Sequence, residues 1–179
     1  EDLTGKPFSR FWVHSEFLLV EGQKMSKSLG NFYTLRDILA RGISPEAVRY
    51  LLASVPYRKA LNFTFDGLNS AKTAIERLRN FQFRLENAKN LPEGVNAKLD
   101  EHATRAQTGF REAMDDDLNT AEALAAVFEY LRDANIALDA GEFHAGNLAG
   151  ARALLELFDS VFEVLKPSAA TGGIGENEI

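Results

Sequence analysis

The chain has 179 residues, of which 45% are hydrophobic and 26% charged, values of an ordinary globular protein long enough to bury a real apolar core. It contains no cysteine, which excludes disulfides, thiolate zinc sites and cysteine nucleophiles, and its three histidines, His14, His102 and His144, are too far apart for any HxxH or HExxH spacing. The net charge of −6 is divided unevenly: residues 1–60 carry nine Lys/Arg against six Asp/Glu, residues 61–179 eleven against twenty, so a polyanionic partner is expected to meet the first third.

No apolar run approaches the roughly 20 residues of a membrane span, and residues 1–10 lack the apolar core of a signal peptide. A cytoplasmic protein with no membrane contact is expected. The chain begins with Glu1 rather than Met, which points to a portion of something longer.

In chain order, Phe11-Trp12-Val13 and Phe17-Leu18-Leu19-Val20 read as strands, with Glu21-Gly22 as a tight turn. After residues 24–31 the period becomes helical. Thr34 with Asp37 three residues on forms an approximate capping box, Leu35, Ile38 and Leu39 make a short apolar stripe, and Gly42 sits at the C′ position. Ser44 and Pro45 announce a second helix, with Val48, Leu51, Leu52 and Val55 on one face and Pro56 as its stop. Longer amphipathic helices are expected over residues 66–89 (Leu68, Ala71, Ile75, Leu78, Leu85), 97–113 (Leu99, Ala103, Ala106, Phe110) and from Asn119, with Glu122 in the box position, through Leu138. The last runs over 145–166, with Leu154, Leu155, Phe158, Val161, Phe162 and Leu165 inward and Pro167 ending it. The expected fold is mainly α: a short β-hairpin followed by a helical segment and an antiparallel helical bundle. A flexible tail is expected over 168–179, whose Gly172, Gly173 and Gly175 follow no strand and open no helix.

The stretch richest in chemistry is Lys24-Met25-Ser26-Lys27-Ser28-Leu29-Gly30-Asn31. Two cations three residues apart among hydroxyl residues, in a loop after a strand, can follow charge developing on a leaving polyphosphate without proton transfer. The bare composition is equally that of a solvated loop; the full pentapeptide, Lys24 to Ser28, is letter for letter the KMSKS signature of class I aminoacyl-tRNA synthetases. Gly5-Lys6-Pro7-Phe8, Trp12-Val13-His14, Phe17-Leu18, Arg36-Asp37, Val48-Arg49-Tyr50, Tyr57-Arg58 and Leu61-Asn62-Phe63 resemble cysteinyl-tRNA synthetase, as does Met114-Asp115-Asp116-Asp117-Leu118-Asn119-Thr120. The resemblance spans residues 5–167.

The resemblance implies the C-terminal portion of an ATP-dependent ligase that activates cysteine and transfers it to tRNA(Cys). It divides the chain into the end of a catalytic domain (1–34), a stem-contact segment (35–63), a tRNA-binding bundle (64–167) and the tail. Lys24 and Lys27 become the catalytic residues and Lys24, Met25, Ser26, Lys27 and Ser28 the ATP-binding set, with Met25 a packing anchor and Gly30 and Asn31 supplying loop conformation. ATP comes with Mg²⁺. The family's HIGH signature and its cysteine-recognising zinc cannot be assembled from this chain, so an upstream catalytic domain is the implied partner, no metal is expected here, and the 179 residues alone are expected to be inactive.

Arg36, Arg41, Arg49, Arg58 and Lys59 crowd the segment after the loop, either meeting RNA phosphates or serving as ordinary surface charge. Asp115, Asp116 and Asp117 are expected to be solvated or capping, because three consecutive residues cannot point one way. His14 is expected to be a core or hairpin histidine, and Tyr57 and Phe63 core aromatics. Two other readings share these features: a cysteine ligase of thiol biosynthesis acting on an aminosugar-inositol, and a non-catalytic helical RNA-binding module.

Overall fold

The computed structural model describes residues 5–166. β1 (Leu18–Val20) and β2 (Gln23–Lys24) form an antiparallel hairpin across Glu21 and Gly22, both with positive φ (+50° and +77°), the turn geometry that matches strand twist. β3 (Leu61–Phe63) pairs in parallel with β1 in the register Leu18 with Leu61 and Val20 with Phe63, giving the order β2-β1-β3. The Asn62 side chain accepts the Gly22 N–H at 2.8 Å, so the later strand also holds the hairpin's turn.

α1 (Leu35–Ala40) starts on the expected box: Thr34 Oγ1 accepts the Asp37 N–H while the Asp37 carboxylate accepts the Thr34 N–H. α2 (Pro45–Ala53) follows Ser44 as N-cap with Pro45 at N1. Four longer helices build the bundle: α3 (Phe65–Asn87), α4 (Ala97–Asp115), α5 (Thr120–Ala140) and α6 (Leu148–Phe162). Thr64, Asn96 and Asn119 cap the first three, each satisfying an otherwise orphaned N–H. α4 and α5 pack as a hairpin, α6 lies against α4 and α3, and α2 rests on α3. One apolar core runs from Val20 and Phe63 through α2 to Phe81, Phe110, Tyr130 and Phe158.

Several expectations change. Phe11-Trp12-Val13 is not a strand; the three side chains are exposed, and no neighbouring strand supplies hydrogen bonds. His14 is exposed coil, not a core histidine. Leu52 and Val161 point outward rather than into the core. α6 is shorter than the expected 145–166. A 3-10 turn, Ala145–Asn147, precedes it, and Glu163 ends it in the left-handed conformation (φ 49°). The end is set by side chains: Asp159 accepts the Val164 and Leu165 N–H groups, Arg49 donates to the Val161 and Phe162 carbonyls, and Arg79 to those of Val164 and Leu165. The expected stop at Pro167 and the tail 168–179 lie outside the described residues.

At the far end of the bundle, Asn147, 1% exposed, ties two loops together. Its Oδ1 accepts from Asn96 N and His144 N, and its Nδ2 donates to Asn96 O. A Cβ on Gly146 would stand 2.7 Å from the Gly94 carbonyl oxygen, so only glycine permits this approach.

Candidate functional site

The hairpin delivers its last residue, Lys24, to the start of the KMSKS loop, and residues Lys27–Leu29 wind into a single 3-10 turn. One side chain sets the loop's shape. Asn31 Oδ1 accepts the Ser26 N–H at 2.8 Å while its Nδ2 donates to the Lys24 carbonyl at 3.1 Å, a two-point bridge across the loop. Gly30 closes the turn at φ 66° and donates to Lys27 O; the left-handed value favours glycine. Ser26 and Ser28 hydroxyls share a hydrogen bond of 2.8 Å. The sequence assigned Asn31 and Gly30 to loop conformation, and the geometry gives each a specific bond.

Lys24 and Lys27 are both exposed, their ammonium groups 5.2 Å from the Phe17 ring centroid and 5.6 Å from that of Phe32. Aromatic faces hold a cation without neutralising it, so two positive charges stand over the loop ready for an anion. Met25 turns inward. It lines an apolar groove of about 700 Å³ with Leu18, Tyr33, Ile38, Val48 and Phe63, consistent with its expected role as packing anchor.

The other basic residues divide by what they touch. Arg36 and Lys59 are exposed. Arg41 stacks on Tyr33 and Phe65 at 4.9 and 4.6 Å. Arg49 is committed to the end of α6, with an ion pair to Glu163 at 3.3 Å besides its carbonyl bonds. Arg58 meets Asp117 of the α4–α5 turn, whose carboxylate also accepts the Tyr57 hydroxyl at 2.7 Å. Asp117 is thus neither a cap nor simply solvated, and Tyr57 is half-buried rather than core. Phe63 is buried as expected.

The Arg58 and Tyr57 hydrogen bonds hold the Asp117 carboxyl below the usual carboxylate range, and the bond to Asp117 pushes the Tyr57 hydroxyl up. A depressed Asp stabilises above its unfolded value and loses that contribution as pH falls through the folded one. A raised Tyr contributes below its unfolded value and loses the contribution as pH rises. This cluster is therefore intact across the neutral range.

Residues 1–73 match the family described as the tRNA synthetases class I (C) catalytic domain, and residues 109–166 match the DALR domain. Over all 179 residues the chain is 62% identical to the cysteine--tRNA ligase of Solibacter usitatus (strain Ellin6076), covering 38% of that protein. The chain belongs to the cysteine--tRNA ligase family. It is 53% identical to the ligase of Koribacter versatilis (strain Ellin345) over 92% of its own length and 33% of that protein's. To that of Chlamydia felis (strain Fe/C-56) it is 43% identical over 94% of its length and 36% of the relative's. The chain thus spans little more than a third of the curated relatives it matches.

Within this cysteine--tRNA ligase family chain, the described residues contain no group of three or more His, Cys, Asp or Glu placed to hold a metal ion, and the sequence has no cysteine. With no thiolate among them, the residues present do not fit the zinc that the resemblance places in the upstream half. Among the described residues no helix is long and apolar enough to cross a membrane.

Proposed function

We propose that this chain supplies the phosphate-facing loop and part of the tRNA-docking surface of a cytoplasmic cysteine--tRNA ligase. The substrates are cysteine, ATP with its Mg²⁺, and tRNA(Cys). The cysteine carboxylate attacks the α-phosphorus of ATP, the bond to the bridging oxygen breaks, and pyrophosphate leaves with the charge that bond carried. A hydroxyl of the terminal tRNA ribose then takes the cysteinyl group and AMP departs. Lys27, with Lys24 assisting, stabilises the charge growing on the departing phosphates. Ser26, Ser28 and the loop's N–H groups offer neutral donors. Upstream parts of the same protein supply the HIGH half of the site and the cysteine-recognising zinc.

The observation that carries this reading is the Asn31 bridge, which fixes the backbone around Ser26 while leaving both lysine ammoniums exposed. In the full-length enzyme, Lys27→Ala is expected to slow adenylate formation about 10²- to 10³-fold, the loss typical of removing one transition-state donor, with the KM for cysteine nearly unchanged. ATP–pyrophosphate exchange measures both. Equal loss of cysteine affinity and rate would sink the assigned role.

The same reading takes residues 1–34 as the end of the catalytic domain, 35–63 as the stem-contact segment and 64–167 as the tRNA-binding bundle. Arg36 and Lys59 are its leading phosphate contacts, and Arg58, paired with Asp117, and Arg49, held by α6, contribute less. Filter binding to tRNA(Cys) against salt tests them, since each lost phosphate contact is expected to lower the log–log slope by about 1.

A further inference from the structure

The Asp-rich turn has no part in the chemistry just described, yet a series of contacts runs from it to the signature lysine. Asp117 and Leu118 are consecutive non-glycine residues at φ 54° and 57°, a conformation that persists only where its surroundings over-determine it. Here Leu118 N donates to Met114 O and Asn119 N to Ala113 O, and the turn presents the Asp117 carboxylate outward to two donors, the Tyr57 hydroxyl and the Arg58 guanidinium. The Tyr57 carbonyl in turn accepts the Glu16 N–H at 2.7 Å. The next residue, Phe17, carries the ring beneath the Lys24 ammonium, and β1 begins directly after it. The α4–α5 turn and the Tyr57-Arg58 segment therefore meet at one carboxylate, and Tyr57 passes the connection on to Glu16 and Phe17, whose ring lies under a lysine of the loop.

We infer that Asp117 is a positioning residue for the KMSKS loop: through Tyr57 and Arg58 it latches the α4–α5 turn of the bundle to the Glu16-Phe17 segment, which leads into the hairpin and carries the ring beneath Lys24. This rests on the proposed ligase reading and deepens it. The latch lies outside the core, with 51% of the Asp117 side chain and 69% of that of Arg58 exposed, so its loss is expected to spare the bundle. An isolated exposed ion pair contributes little to stability; what this one fixes is the relative placement of two regions, and displacement near 1 Å at a reacting centre costs rate heavily.

The test uses ATP–pyrophosphate exchange by the full-length enzyme in the absence of tRNA, so that any loss of RNA contact by Arg58 is silent. Asp117→Gly keeps the left-handed backbone and removes the carboxylate. Its kcat is expected to fall about tenfold with the KM for cysteine within about twofold and the melting temperature unchanged. Asp117→Asn, which retains a partner for Tyr57, should recover part of that loss, and Tyr57→Phe should lower kcat about threefold by deleting one hydroxyl. The Asp117→Gly/Arg58→Ala double variant should be no slower than the worse single variant, because both break one connection. Wild-type kcat in Asp117→Gly, additive losses in the double variant, or a defect seen only when tRNA is added would each overturn the latch. Failure of the underlying ligase reading looks different: the unmodified enzyme would show no cysteine-dependent exchange.

Discussion

In the bundle, Phe81, Phe110, Phe143, Phe158 and Phe162 are each 0 or 1% exposed, whereas Phe8, Phe11, Trp12 and Phe17, in the segment leading to the signature loop, keep 67 to 81% of their surface. The bundle takes its shape from apolar burial spread over dozens of side chains. The loop takes its shape from a few directional bonds, chiefly those of Asn31, Gly30 and Asn62. Burial sets stability in proportion to area and tolerates small shifts, while a hydrogen-bonded loop contributes little to stability and sets geometry sharply. Stability and loop geometry are therefore separable by mutation in this chain.

The strongest test of that separation contrasts two aromatics. Phe158→Ala is expected to destabilise by about 3–5 kcal/mol through lost burial and the cavity left behind, and Phe11→Ala by less than about 0.5 kcal/mol; urea unfolding followed by circular dichroism measures both. Next in size is Asn147→Ala, which strips Asn96 and His144 of buried partners and should cost about 2 kcal/mol in the same assay. Tyr130 sharpens the comparison with the opposite sign. Its buried hydroxyl has no hydrogen-bond partner among the described residues, and burial pushes its ionisation well up, so Tyr130→Phe is expected to stabilise by about 1 kcal/mol. Smallest in stability is Asn31→Ala, within about 0.5 kcal/mol, yet it should lower the exchange rate of the full-length enzyme by loosening the loop around Ser26. A large drop in melting temperature for Asn31→Ala would show that the two regions are not separable.

Local chemistry made much of this legible in the sequence. The Thr34–Asp37 box, the Ser44–Pro45 start, the Asn119 cap and the Glu21-Gly22 turn each act within four residues, so their residues announce them, and the KMSKS pentapeptide is contiguous. What could not be read depends on distant partners. β3 has only three residues and exists because β1 lies beside it. α6 stops at Phe162 because Arg49 and Arg79, from two other helices, reach the carbonyls around its end. Asp117 finds Arg58 59 residues away, and no periodicity encodes that meeting. The one signal available was the unusual run of three aspartates, which suggested solvation or capping because the partner of Asp117 lies outside local reach. Phe11-Trp12-Val13 misled for the converse reason: strand composition without a neighbouring strand is only an apolar segment.

The parallel pairing of β1 with β3 also bears on how the protein is made. A two-stranded hairpin of this length is marginal by itself in water, and the third strand, with the Asn62 side chain that braces the turn, arrives some forty residues later. The signature loop therefore reaches its final form on a growing polypeptide only after Phe63 has emerged. A parallel closure of that span is slow relative to local helix formation, which makes the signature loop one of the later parts of this region to mature.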